Sequence, residues 1–147
     1  MADREPPRSR AAYPVYETVA TRWNDNDQFG HVYNATYYEL FDSAMNLWLM
    51  ARGMLDHHGD EPINYVVENG CTYFRQISYP DILEIGLRLD RIGTSSVRLE
   101  MGMFCRGADT ESARAHFALV CVDTVNRRPV PLPPRQRAML ETLRPAG

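Results

Sequence analysis

At 147 residues the chain has the length of one domain, enough to bury a core and too short for two ordinary domains. Its 44% hydrophobic and 24% charged content are those of a globular protein, and a formal net charge of −3 offers no general attraction for nucleic acid or an anionic membrane. No apolar run approaches the ~20 residues needed to span a bilayer, and the first dozen residues are polar and proline-containing, unlike a secretory leader.

Met1 to Ala12 therefore reads as a flexible tail and residues 13–147 as a single domain. From Val15 to Trp23 the residues suit a first strand, with Val15, Val19 and Trp23 as its apolar or aromatic members. It runs into a polar loop, Asn24-Asp25-Asn26-Asp27-Gln28-Phe29-Gly30-His31, which packs two carboxylates, a turn glycine and a histidine ahead of a helical pattern. That pattern covers Ala35 to Arg52: Tyr37, Phe41, Ala44 and Trp48 fall at i, i+4, i+7 and i+11, and Leu40, Met45, Leu47 and Leu49 broaden the apolar side. Such a helix is roughly 27 Å long, with Asn34 predicted as its N-cap and Gly53 as its stop. A helix opening there aims unpaired backbone N–H groups at the loop, a setting that favours negative oxygen.

Strands follow a turn at Asp56 to Pro62. Val67, Cys71 and Tyr73 share one parity of a long segment from Asn64 to Tyr79. Leu83, Ile85, Leu87 and Leu89 make a second alternating row, Val97 to Cys105 a third, and Ala113 to Cys121 a fourth, with turns at Gly93–Ser95 and Gly107–Thr110. Pro129, Pro131, Pro133 and Pro134 close the sheet, and Arg135 to Leu143 is predicted as a short terminal helix. The order predicts an α+β fold, one long helix lying on a curved, mostly antiparallel sheet. Cys71, Cys105 and Cys121 sit in strand patterns rather than at metal spacing, which reads as reduced, buried thiols and favours a cytoplasmic location.

Several chemistries are disfavoured by what is missing. No Gly-x-Ser-x-Gly surrounds any serine, and His57-His58, adjacent in sequence, cannot both face one ion from a regular element.

The stretch Arg22-Trp23-Asn24-Asp25-Asn26-Asp27-Gln28-Phe29-Gly30-His31-Val32-Tyr33-Asn34, followed by Tyr37-Tyr38 and Phe41, resembles the hotdog fold in its 4-hydroxybenzoyl-CoA thioesterase-like branch. Tyr79-Pro80-Asp81, Gly93-Thr94-Ser95-Ser96 and Pro129-Val130-Pro131-Leu132-Pro133 match later landmarks, so the resemblance covers about residues 15–140. It implies a long central helix wrapped by five or six antiparallel strands, a homodimer joined sheet edge to sheet edge with active sites at the interface, and pairing of dimers into tetramers. It also implies an acyl-CoA substrate, with coenzyme A part of that substrate and no further cofactor, metal, nucleic-acid or membrane partner.

The resemblance places the catalytic carboxylate on Asp27 and leaves Asp25 structural. A thioester carbonyl needs a nucleophile or activated water on one face and donors for the oxygen that becomes negative. Asp27 is read as nucleophile or general base, and as donors the helix-opening N–H groups beside Gly30, with Asn34 the matched position. His31 is read three ways: it holds the loop, places substrate or moves a proton. Asp27 also has an ordinary reading as an Asx turn between strand and helix.

Tyr33 and Tyr38 are candidates to line the acyl site, with Tyr37 and Phe41 assigned to packing. Glu68 either orients water or is a paired glutamate on the opposite strand face. Ser95 and Ser96 either form a tight turn or meet the pantetheine or phosphate end of coenzyme A, and Arg98, Arg106, Arg127 and Arg128 are candidates for its phosphates. The competing functions are a hotdog hydratase or dehydratase, for which no His-Phe-Pro type segment is present, and a non-catalytic acyl-CoA binder.

Overall fold

The computed structural model describes residues 4–55 and 61–146. His57, His58 and most of the predicted Asp56–Pro62 turn lie outside the described residues, as do the first three residues of the predicted tail. Five strands, β1 (Val15–Ala20), β2 (Ile63–Tyr73), β3 (Ile82–Ile92), β4 (Ser96–Cys105) and β5 (Ala113–Val122), form one antiparallel sheet in the order β1-β3-β4-β5-β2. Among the described residues two α-helices accompany the sheet, α1 (Asn34–Ala51) and the short α2 (Pro134–Glu141). The predicted α+β fold, with one long helix against a curved antiparallel sheet, is the observed one.

The core lies between α1 and one face of the sheet, because the two hydrophobic periods meet there. Phe41, Ala44 and Trp48 of the helix are fully covered, as are Leu83, Ile85 and Leu87 of β3 and Leu99, Met101 and Met103 of β4. Each large apolar side chain taken out of water contributes about 1.5–3 kcal/mol, so the alternation holds register firmly: a slip of one residue would turn the whole row to solvent. Gly53, at φ +67°, ends α1 as predicted, its N–H donating to the Met50 carbonyl. Tyr33 rather than Asn34 occupies the N-cap position and makes no side-chain cap, so Asn34 is the first helical residue.

Three expectations are corrected. The first strand stops at Ala20, and Trp23–Asp25 form a 3-10 turn, because the Asp25 carboxylate folds back onto the Arg22 backbone N–H at 2.7 Å and its guanidinium at 2.9 Å. β2 does not keep one parity and ends at Tyr73: a bulge between Val66 and Glu68 throws Val67 outward, 62% exposed, while Cys71 and Tyr73 face the helix side.

The segment before β1 is held against the rest of the chain from Glu5 onward, where a flexible tail is predicted. The Arg8 backbone N–H donates to Glu111 at 2.9 Å, its guanidinium to Glu100 at 3.1 Å, and Ser9 bridges to Thr110. Tyr13 then plugs the outer face of the sheet over Gly86 and Gly102, where a Cβ on either glycine would stand 2.5–2.6 Å from its side chain. Its hydroxyl donates to the fully buried Glu111 at 2.5 Å. None of this is readable from Met1 to Ala12 alone, since these partners lie in β3, in β4 and in the loop that follows β4.

Among the described residues no helix is long and apolar enough to cross a membrane, and all three cysteines are unpaired.

Candidate active site

The polar loop between β1 and α1 folds as a small hairpin of its own. Asn26 bridges to Val32, the Asp27 N–H donates to the His31 carbonyl at 2.8 Å, and the Gly30 N–H donates to the Asp27 carbonyl at 3.1 Å. Gly30 sits at φ +80° with open space around its α-carbon, so it is the backbone conformation that requires glycine here. One oxygen of Asp27, Oδ1, accepts the Phe29 N–H at 2.8 Å. The Asx-turn reading of Asp27 is therefore correct for one oxygen, and it orients the carboxylate rather than consuming it: among the described residues Oδ2 has no hydrogen-bond partner and no cation lies within ion-pair distance.

The loop is braced from both sides. The Tyr33 N–H donates to the Asp25 carbonyl at 3.0 Å, so the buried Asp25, clamped by Arg22, sets where the helix begins. The segment after β2 supplies the other wall. The Val32 N–H donates to the Ile77 carbonyl at 2.8 Å, Asn26 Oδ1 accepts the Tyr79 N–H at 3.0 Å, and the Trp23 and Tyr79 rings meet edge to face.

A half-open cavity of about 420 Å³ lies against this loop, lined by Asp27, Phe29, His31, Val32, Tyr33 and Asn34, by Tyr37 one turn into α1, and by Tyr73, Arg75 and Gln76 at and beyond the end of β2. The uncapped start of α1 opens beside it. The Thr36 N–H is taken by the Tyr33 carbonyl at 2.9 Å, whereas among the described residues no acceptor is within reach of the Asn34 or Ala35 N–H. A carboxylate with a spare oxygen and Asn34, the first residue of a positive helix end with unspent N–H groups, thus share one concavity, the pairing that acyl transfer needs. The aromatic wall is dry enough to perturb its own acidities: burial raises the Tyr37 and Tyr73 phenols and pushes the neighbouring Cys71 thiol up to about 11.

The structure brings together only part of the predicted set. Asp27, His31, Tyr33 and Asn34 line the cavity; Gly30 shapes the turn and borders a shallower depression with Trp23, Asn26, Asp27 and Gln28. Tyr38 is half-buried against the core and does not line the cavity. Glu68 lies on the outer sheet face, 2.6 Å from His116 Nε2 and 3.8 Å from Arg98, which is the paired reading. Gly70 makes room for that imidazole, since a Cβ there would sit 2.5 Å from its Cε1.

The remaining candidates lie elsewhere. Ser96 and Arg98 line a second concavity of about 330 Å³ with Val67, Arg91 and Gly93 beside the β3–β4 turn. Ser95 is used in the fold, its carbonyl accepting the Cys121 N–H at 2.7 Å. Arg106 follows β4, its N–H on the Ile82 carbonyl, and Arg128 belongs to the 123–128 loop with Arg127, whose guanidinium lies over the Tyr65 ring. Tyr73, Arg75 and Gln76 are not among the predicted site residues. Their one sequence cue is that they lead directly into the Tyr79-Pro80-Asp81 landmark.

Helix and wrapped sheet together define a hotdog-fold protein. The family model of the thioesterase-like superfamily matches residues 21–140, and the chain belongs to that family. Its structure is similar to the crystal structure of the PA5185 protein from Pseudomonas aeruginosa, with 40% identity, a TM-score of 0.92, and 97% of this chain and 99% of that one covered. A thioesterase from Thermus thermophilus, complexed with coenzyme A and Zn, is 27% identical with a TM-score of 0.76, covering 92% of this chain and 98% of that one. The 1,4-dihydroxy-2-naphthoyl-CoA thioesterase Slr0204 from Synechocystis shares the fold at 17% identity and a TM-score of 0.78, covering 85% and 93%. The YsmA protein of Bacillus subtilis is 23% identical over 90 residues, a match spanning 61% of this chain and 60% of YsmA.

Proposed function

We propose that the protein is an acyl-CoA thioesterase, releasing a carboxylic acid and free coenzyme A, with Asp27 as its central residue. The observation that carries this reading is the shared concavity: Asp27, one oxygen oriented by the Phe29 N–H, faces the same space as the uncapped start of α1. The thioester carbonyl oxygen sits at the Asn34 and Ala35 N–H groups, which stabilise the negative charge of the tetrahedral state. Asp27 Oδ2 either attacks the carbonyl carbon, giving an anhydride that water then cleaves, or takes a proton from the attacking water. In both routes the C–S bond breaks and the thiolate leaves without a strong acid. His31 closes the loop through its backbone carbonyl, and its ring lies where substrate placement or proton transfer is available to it.

The same reading makes the protein a homodimer joined through β2. That strand ends the sheet, and Tyr65, Val66 and Val67 on it are 40%, 42% and 62% exposed, an edge that natural proteins cover. The concavity with Ser96 and Arg98 would take the pantetheine or phosphate end of coenzyme A, its guanidinium suited to phosphate. The chemistry draws on no metal or further cofactor, and the unpaired cysteines suit a reducing cytoplasm.

The test is thiol release from short, long and aromatic acyl-CoA substrates by wild type and Asp27→Asn. Hydrolysis that drops about 10²–10⁴-fold in a folded, equally associated variant supports the assignment. Acyl-CoA binding without thiol release moves the protein to the binder class, and a fully active variant removes Asp27 from the chemistry. Label found in Asp27 after a single turnover in ¹⁸O water establishes the nucleophilic route, with water cleaving the anhydride at the Asp27 carboxyl carbon.

A further inference from the structure

We propose that Tyr73 is a positioning residue for the reaction, its phenol O–H holding the carbonyl of Asn34 and so setting the first peptide of α1, whose N–H the thioesterase reading assigns to the reacting carbonyl. The proposal rests on the thioesterase reading for its kinetic consequence and on the structure alone for its geometry. Tyr73 is the last residue of β2, and its ring meets Tyr37 edge to face at 4.9 Å and 88°. Packing of that kind would be served by phenylalanine. The hydroxyl goes further, donating to the Asn34 carbonyl at 3.2 Å across 39 residues of sequence.

That carbonyl is the acceptor for the fourth residue on in the helix, and a carbonyl oxygen has two lone pairs, so Tyr73 fills the second. Drawing on the oxygen polarises the whole peptide group, and the N–H at its other end belongs to Ala35. With the Thr36 N–H spent on Tyr33, Asn34 and Ala35 carry the donors left at the opening. Tyr73 therefore fixes the peptide plane that joins these two residues and strengthens the Ala35 donor. Burial, with Cys71 alongside, raises the pKa of the phenol and keeps the O–H protonated through the working pH range. Tyr73, Asn34 and Asp27 all line the same cavity.

Two readouts test the proposal independently. In Tyr73→Phe, kcat should fall about five- to tenfold with KM unchanged, the size expected for one lost hydrogen bond. Fluorinated tyrosines incorporated at position 73, assayed at a pH where each is protonated, should raise kcat in step with O–H acidity, which a packing role would not do. A flat kcat across that series, or a change confined to KM, overturns the proposal.

The second readout needs no substrate. The Ala35 amide proton resonance should move upfield in Tyr73→Phe while that of Leu49, at the far end of α1, stays in place. An unmoved Ala35 resonance overturns the proposal whether or not thiol is released. Absence of thiol release from wild type, with the Ala35 shift present, rejects the thioesterase reading and leaves the brace standing.

Discussion

The outer face of the sheet and the loop before α1 are both rich in carboxylates, and they treat them in opposite ways. On and beside that face, carboxylates are matched to basic side chains: Glu84 to Arg10 at 2.8 Å, Asp90 to Arg98 at 3.0 Å, Glu100 to Arg8 at 3.1 Å, Glu68 to His116 at 2.6 Å, and the fully buried Glu111 to Arg114. In the loop, Asp25 follows the same rule through Arg22, but two residues later Asp27 has a backbone N–H on one oxygen and, among the described residues, no cation near the other. Neutralised carboxylates hold structure together. Asp27, with a spare oxygen beside unspent helix N–H groups, is the carboxylate proposed for chemistry.

Substitutions at the two regions should separate activity from stability. Asp27→Asn carries the largest expected effect, a loss of about 10²–10⁴-fold in kcat with an unchanged melting curve, because the Asx turn survives on the remaining carbonyl oxygen. A large stability loss there would place Asp27 with the structural carboxylates instead. Glu111→Ala is the converse case. It leaves the Tyr13 hydroxyl and the Arg8 N–H without their acceptor in a buried setting, while Arg114 keeps Glu5 and the Pro6 carbonyl, so chemical denaturation should show a loss of about 1–3 kcal/mol. The activity of the fraction still folded should remain.

Glu68→Gln is expected to matter far less. Its side chain is 61% exposed, so removing the charge should cost at most about 1 kcal/mol and leave kcat within about twofold. An activity loss approaching that of Asp27→Asn would restore Glu68 to the site. The smallest effect is expected at Asp42, on α1, whose carboxyl is raised above its ordinary range by partial burial. A raised acid favours the protonated fold, so its contribution is full below the unfolded value and is lost as pH rises through the folded one. Asp42→Asn should therefore raise the melting temperature slightly at pH 7, and the gain should vanish near pH 3; a gain that persists in acid would assign the effect to helix propensity rather than charge.

By itself the sequence determined whatever depends on near neighbours. The span of α1 was legible because Tyr37, Phe41, Ala44 and Trp48 repeat at the helical period, and the rows of β3, β4 and β5 because alternation is a property of consecutive residues. Asp27, Gly30, His31 and Asn34 could be picked out because a turn and a helix start are built within a dozen positions. The carboxylate pairing of Glu68, the bulge that turns Val67 outward, the tying of Arg8 and Tyr13 to the sheet, and the arrival of Tyr73, Arg75 and Gln76 at the loop were decided only by the tertiary structure. Each depends on partners distant in the chain, brought together by the strand order β1-β3-β4-β5-β2. Local periodicity states which face of an element is apolar, but which polar group meets which across the sheet is settled only when the apolar faces have closed on α1.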